Sequence, residues 1–220
     1  LNWIVNFKLL GINFDNLNSK TLANYEVKIL EMEKEMKAWE YRVLSPLGRL
    51  VVVKTLCLSK INNVAAVMPN IKMSHMDKLE SSLFEFVWTK FHTKVAKNEA
   101  KLPVRLGGLG FPDLRSTWKA FKFSWIRKII DCRFRDSPWY SILNAQLTRS
   151  NDRLRLENIT NWSVEDFEFA ASKVKLKFWS EVFLIAAGFI NEIGFSNIVS
   201  FVNSQPWGNK NFSSMGPIKK

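Results

Sequence analysis

Between Lys90 and Arg135 the sequence sets twelve lysines and arginines against three acids, in a chain whose whole formal charge is +12 over 220 residues. Such cations neutralise phosphates and release counterions, and the contribution grows with each contact. A localised block of this kind is the footprint of a polyanion partner. Large apolar side chains are interleaved with it. Trp118, Phe121 and Trp125 recur at helical spacing, which assigns them to a core before it assigns them to stacking on bases.

Other reactive residue types are arranged less persuasively. His75 and His92 are the two histidines, and neither stands at zinc-ligand spacing from Cys57 or Cys132. Both cysteines sit in apolar surroundings and read as two buried thiols with no reason to pair. Gly107-Gly108-Leu109-Gly110 lacks the Gly-Lys-Ser/Thr that completes a phosphate loop, and Asp113 occupies the third glycine position of GxGxxG. The cluster therefore reads as a tight turn feeding a helix. Adjacent carboxylates occur at Glu165-Asp166, at a helix start, where acids complement the dipole. No catalytic residue, metal ligand set or cofactor site is expected from these residues.

The elements that must position the cations are mostly helices. With 47% hydrophobic residues the chain is expected to fold. Its longest apolar stretch, Val182 to Ile190, is short of the roughly 20 residues that span a bilayer, so no membrane span is expected. The first ten residues lack the pattern of a secretory signal, and the chain does not begin with Met, so a piece of a longer protein is expected. Residues 1–14 read as one strand ending in a Gly-containing turn at Leu9-Leu10-Gly11-Ile12, with Trp3, Val5 and Phe7 alternating, and its partner strands are expected upstream.

Leu22, Tyr25, Ile29, Met32, Met36, Trp39 and Val43 then form a helical seam, capped by Asn18 or Ser19. Ser45-Pro46 opens a second helix that runs to Pro69. Ser74 with Asp77 predicts a capping box for a third, with Met76, Leu79, Leu83, Phe86 and Val87 buried. Residues 90–101 read as a loop or frayed helix end and Leu102 to Leu106 as a short extended piece. Asp113 or Ser116 can cap the helix that follows. Further helices are predicted over Trp139 to Leu147, from the box Ser163/Asp166, and over Phe178 to Ile190. Residues 203–220 read as a loop or truncated end.

An ordered set of short motifs resembles one family. Phe7-Lys8-Leu9-Leu10-Gly11-Ile12, a helix carrying Trp39, Leu44-Ser45-Pro46-Leu47-Gly48-Arg49, Val52-Val53-Lys54 and Leu58-Ser59-Lys60 resemble the end of the palm and the thumb of non-LTR (LINE-type) retrotransposon reverse transcriptases. The likeness continues in Phe86-Val87-Trp88, Gly107-Gly108-Leu109-Gly110, Pro112-Asp113-Leu114, Phe178-Trp179 and Pro206-Trp207-Gly208-Asn209. The resemblance implies a helical thumb gripping a template-primer duplex, then a mostly helical region contacting RNA and DNA. It also implies a nuclear or cytoplasmic ribonucleoprotein setting and, for the whole enzyme, magnesium-dependent RNA-directed DNA polymerisation. The family's Tyr-x-Asp-Asp lies upstream of the first strand, so catalysis by this piece alone is not expected.

The resulting expectation is a mainly α chain: a palm-strand remnant over 1–14, a thumb-like bundle over 15–91, a basic loop and mostly helical region over 92–202, and an end segment over 203–220. It is a reverse-transcriptase fragment binding an RNA/DNA template-primer duplex. The expected phosphate contacts are Arg49, Lys54, Lys60, Lys94, Lys97, Lys101, Arg105, Lys119 and Lys122. A rival reading is a helical protein-interaction module, because the 3,4 spacing from Leu22 to Val43 also suits a coiled-coil seam. A weaker rival is attachment of the helix between Arg115 and Arg135 to an anionic membrane surface.

Overall fold

The computed structural model describes residues 6–15, 21–88 and 95–193. Trp3, Val5, Asn18, Ser19, His92, Lys94, the motif at Pro206 to Asn209 and the end segment 203–220 lie outside the described residues. The fold is mainly α with a short N-terminal strand pair, as expected.

That strand pair corrects the single strand predicted over 1–14. Strand β1 (Asn6–Leu9) returns antiparallel on β2 (Ile12–Asp15), with Phe7 opposite Phe14 and Leu9 opposite Ile12. The two-residue turn holds Leu10 at φ 49° and Gly11 at φ 79°, the twist that closes tight hairpins. Gly11 marks the turn expected at Leu9-Leu10-Gly11-Ile12, while leucine is strained at a positive φ and does not announce that the chain returns as a second strand. Asn24 fastens the hairpin to the first helix: the Asn13 backbone N–H donates to its Oδ1 at 2.8 Å, and its Nδ2 donates to Asn13 O at 2.7 Å.

Helix α1 (Thr21–Glu40) buries Tyr25, Met32 and Met36 and half-buries Ile29 and Trp39, while Leu22 is exposed. It ends before Val43, which lies outside the helix and is fully exposed. The middle of the predicted seam is thus filled within the chain, largely by α3.

The second helix is continuous from Pro46 to Val67, composed of α2 (Pro46–Val52), a π turn over Val53–Cys57 and α3 (Leu58–Val67). Ser45 caps it by accepting from Gly48 N at 3.2 Å, with Pro46 in the first turn, as predicted. By length and composition alone this 22-residue helix could cross a bilayer, its most apolar 18-residue window having a mean hydropathy of 1.5, but 44% of that window is buried within the chain, as in the core helix of a folded unit. Leu50, Val53, Cys57, Ile61 and Ala65 face the core.

Helix α4 (Met73–Val87) begins two residues earlier than the predicted box allows. Lys72 is its cap and Ser74 lies within the first turn, so no capping box forms there. Helix α5 (Lys97–Lys101) and a 3₁₀ turn over Val104–Leu106 replace the loop or frayed helix end and the extended piece predicted for this stretch.

Helix α6 (Leu114–Ile130) buries Leu114, Trp118, Lys122, Ile126 and Ile129, each less than 2% exposed. Phe121 and Trp125, predicted for that face, are only half-buried. Helices α7 (Pro138–Thr148), α8 (Val164–Lys173) and α9 (Lys177–Ile193) follow the predicted positions. Two 3₁₀ turns, Asp152–Leu154 and Leu156–Asn161, join α7 to α8.

Two compact units divide between Phe121 and Lys122, later than the boundary expected at residue 91. Ala100, Phe111, Leu114 and Trp118 belong to the same core as α1 to α4, with the Trp118 ring 5.4 Å from that of Tyr25. The second core gathers Ile126, Leu143, Leu147, Phe167, Phe183 and Ala186, with Trp162 in T-shaped contact with Phe167 at 5.2 Å. Side chains of this size stabilise by about 1.5–3 kcal/mol each when removed from water.

The predicted box at α8 is complete. Ser163 Oγ accepts from Asp166 N at 3.2 Å, and Asp166 Oδ2 accepts from Ser163 N at 2.9 Å. Ser163→Ala is expected to cost about 1 kcal/mol through the orphaned helix N–H. A lowered urea midpoint checks it, and an unchanged one would show that water serves the cap equally well.

The cysteines divide. Cys57 is buried, and burial pushes its thiol up to about 11, with the Glu35 charge adding to the effect. Cys132 is exposed rather than buried, because it sits in a 3₁₀ turn after α6 has ended.

Candidate nucleic-acid interface

The glycine cluster is built as a closed turn. Leu106, Gly107, Gly108, Leu109, Gly110 and Phe111 all donate their backbone N–H to carbonyls of Ala100, Leu102, Pro103 or Val104, at 2.8–3.2 Å. With those amides engaged inside the loop, they cannot cradle a phosphate in the way a P-loop does. Gly108 is required by close approach, since a Cβ there would lie 2.1 Å from Leu102 O. Gly110 adopts φ 63°. Asp113 then caps α6, its Oδ1 accepting from Arg115 N at 3.2 Å and its Oδ2 from the Ser116 hydroxyl at 2.7 Å. Although burial opposes its charge, Ser116 and Lys101 draw its carboxyl below the ordinary value.

Lys54 meets this loop. Its Nζ is 3.5 Å from where a Gly110 Cβ would stand, an ordinary contact distance, so the ammonium lies beside the backbone of this loop. Lys54 lies in the π turn, a helix irregularity frequent at functional sites, and is exposed. Leu47, Val51 and Thr55 share its helix face and are exposed with it, as are Val104 and Leu106 of the loop. Arg105 on the 3₁₀ turn and Lys119 on α6 are also exposed.

The other predicted contacts are placed differently. Arg49 is buried, not projecting: its Nη2 donates to Glu40 O at 3.0 Å and to Arg42 O at 3.4 Å, its Nη1 to Phe86 O at 3.4 Å, and its guanidinium stacks 5.1 Å from the Phe86 ring. A cation with five donors is drawn to helix ends, where carbonyls are left over. Here it serves the ends of α1 and α4.

Lys60 donates to Glu35 at 2.8 Å, which holds its ammonium above the ordinary lysine value. Lys97 donates to Ser81 Oγ at 2.8 Å beside the Phe84 ring. Lys101 lies between Glu80 at 2.9 Å and Asp113 at 3.4 Å. Burial works against its charge, but the two carboxylates raise it above the ordinary value. Lys122 is buried beneath the Phe178 ring, 4.4 Å from its centre. Lys94 lies outside the described residues.

Within the first unit, then, Lys54, Arg105 and Lys119 are the exposed members of the predicted set, and Lys60, Lys97 and Lys101 are half-buried. Arg115 of the same basic block pairs with Asp77. Among the described residues no three His, Cys, Asp or Glu side chains are grouped so as to hold a metal ion. The magnesium implied by the resemblance therefore finds no ligand set in these residues.

No protein-family model matches the chain, and no solved structure matches it significantly.

Proposed function

We propose that this chain is the thumb and following helical region of a LINE-type reverse transcriptase, and that it binds an RNA/DNA template-primer duplex through exposed cations of its first unit. One observation carries the reading most directly. Two motifs of the resemblance that are far apart in sequence, Val52-Val53-Lys54 and Gly107-Gly108-Leu109-Gly110, meet at Lys54 and Gly110.

Lys54, Arg105 and Lys119 supply phosphate contacts, which position a duplex without reading its bases. That suits a polymerase moving along arbitrary sequence. On this reading the chain holds template and primer, while phosphodiester chemistry belongs to the palm carboxylates of the whole enzyme.

The test is fluorescence anisotropy of a labelled RNA–DNA hybrid across a salt series. Log K is expected to fall with log salt at a slope of about −0.9 per phosphate neutralised. The absence of hybrid binding at low salt, or binding insensitive to salt, would overturn the proposal.

A further inference from the structure

The second unit carries an aromatic surface of another kind. Trp125 on α6, Phe134 in the 3₁₀ turn Cys132–Phe134 and Trp139 on α7 are all half-buried. Their rings form a row: Trp125 meets Trp139 edge-on at 5.8 Å, and Trp139 meets Phe134 at 6.4 Å. Behind them lies a firm backing. The Trp139 ring stacks on the buried Trp179 ring at 5.5 Å and 22°, and Trp125 packs against Phe178 and Trp179 at 5.4 and 5.5 Å.

Cations border this row. Lys128 Nζ sits 3.9 Å from the centre of the Trp125 ring. Arg133 and Arg135 flank Phe134 in the chain, both exposed, and Arg127 is exposed one residue before Lys128. Asp131 holds Arg133 at 2.6 Å. Trp118 and Trp162, by contrast, are almost completely buried. Rings that are rigidly backed, partly open and edged by cations are the arrangement that binds unpaired strands, with bases stacking on the rings and phosphates meeting the rim.

We infer that this surface binds single-stranded nucleic acid, with bases stacking on Trp139 and Phe134 and phosphates meeting Lys128 and Arg135. The class of partner rests on the nucleic-acid reading above, but the site lies in the other unit and contacts a different form of the polymer. It is tolerant of sequence, because every base offers a π face.

The experiment uses the full chain and two labelled strands of equal length and charge, an oligothymidylate and its abasic counterpart. The wild type is expected to bind the base-bearing strand about tenfold more tightly or better. Trp139→Ala should erase that preference, Trp139→Phe should keep most of it, and hybrid binding should be the same in all three. Equal affinity of the wild type for both strands would overturn the inference, and that comparison depends on no variant. A preference that survives in folded Trp139→Ala would overturn it as well. Strand preference without any hybrid binding would sustain this site and sink the duplex proposal, so the two failures are distinguishable.

Discussion

Arg49→Met is expected to destabilise the first unit by about 3 kcal/mol, the largest loss among the substitutions considered. Hydrogen bonds from a charged donor are worth about 1.5–3 kcal/mol, and a buried carbonyl left without one loses its solvation as well. Arg49 serves three carbonyls through partly buried hydrogen bonds, Glu40 O, Arg42 O and Phe86 O. Methionine fills part of the volume but donates nothing. Arg49→Lys should recover about 1 kcal/mol, since a single ammonium lacks the planar reach of the guanidinium. Urea unfolding followed by circular dichroism measures both. If Arg49→Met were as stable as the wild type, Arg49 would not be tying the ends of α1 and α4, and its return to the list of phosphate contacts would follow.

The second large effect has the opposite sign. Lys122→Met should stabilise the second unit by about 2 kcal/mol at neutral pH. Burial lowers the Lys122 ammonium from the ordinary 10.5 to about 8, with the Glu181 charge acting in the other direction, a change equivalent to about 3 kcal/mol against the charged form. Methionine has a similar length and no charge to desolvate, and Glu181 keeps Lys177 at 3.9 Å.

The pH dependence follows from proton counting. Below about 8 the amine is charged in the folded and unfolded chain alike, and the penalty is fully present. Between about 8 and 10.5 the unfolded chain binds the extra proton, so this group makes stability rise with pH. The stability gap between Lys122→Met and wild type should therefore be widest below about 8 and close by about 10.5. Thermal midpoints of both proteins across that range check it. A gap that is constant with pH would assign the effect to packing rather than to charge.

These two residues also show what could be read from the chain alone. Caps and boxes made within a few residues were legible, as at Ser45-Pro46 and Ser163/Asp166, because every partner is local. Lys122 was not. The buried face of α6 runs Leu114, Trp118, Lys122, Ile126, and reading for hydrophobicity skips the lysine and joins Trp118 to Phe121 and Trp125. Arg49 was hidden for another reason, since its acceptors are backbone carbonyls whose availability depends on where α1 and α4 end. The same holds for Asn24, whose partner is the Asn13 backbone.

The candidate site shows the same division between local and long-range information. Charge density marked the basic block correctly as a property of sequence. It could not show that Glu80, Asp77 and Glu35 reach across from other helices to Lys101, Arg115 and Lys60. Nor could it show that Lys54 and Gly110 meet. A cation already held by a carboxylate must exchange that partner for a phosphate, so its net gain on binding is smaller.

On the proposed function, duplex binding runs through the exposed cations and not through the total charge of the block. The measurement is the slope of log K against log salt for one RNA–DNA hybrid, compared between two variants that lose the same formal charge. One carries Lys54→Gln, Arg105→Gln and Lys119→Gln; the other carries Lys60→Gln, Lys97→Gln and Lys101→Gln. The first should flatten the slope by about 0.9 for each contact removed, and the second should leave it near the wild-type value. Equal flattening in both, or flattening confined to the second, would contradict the assignment.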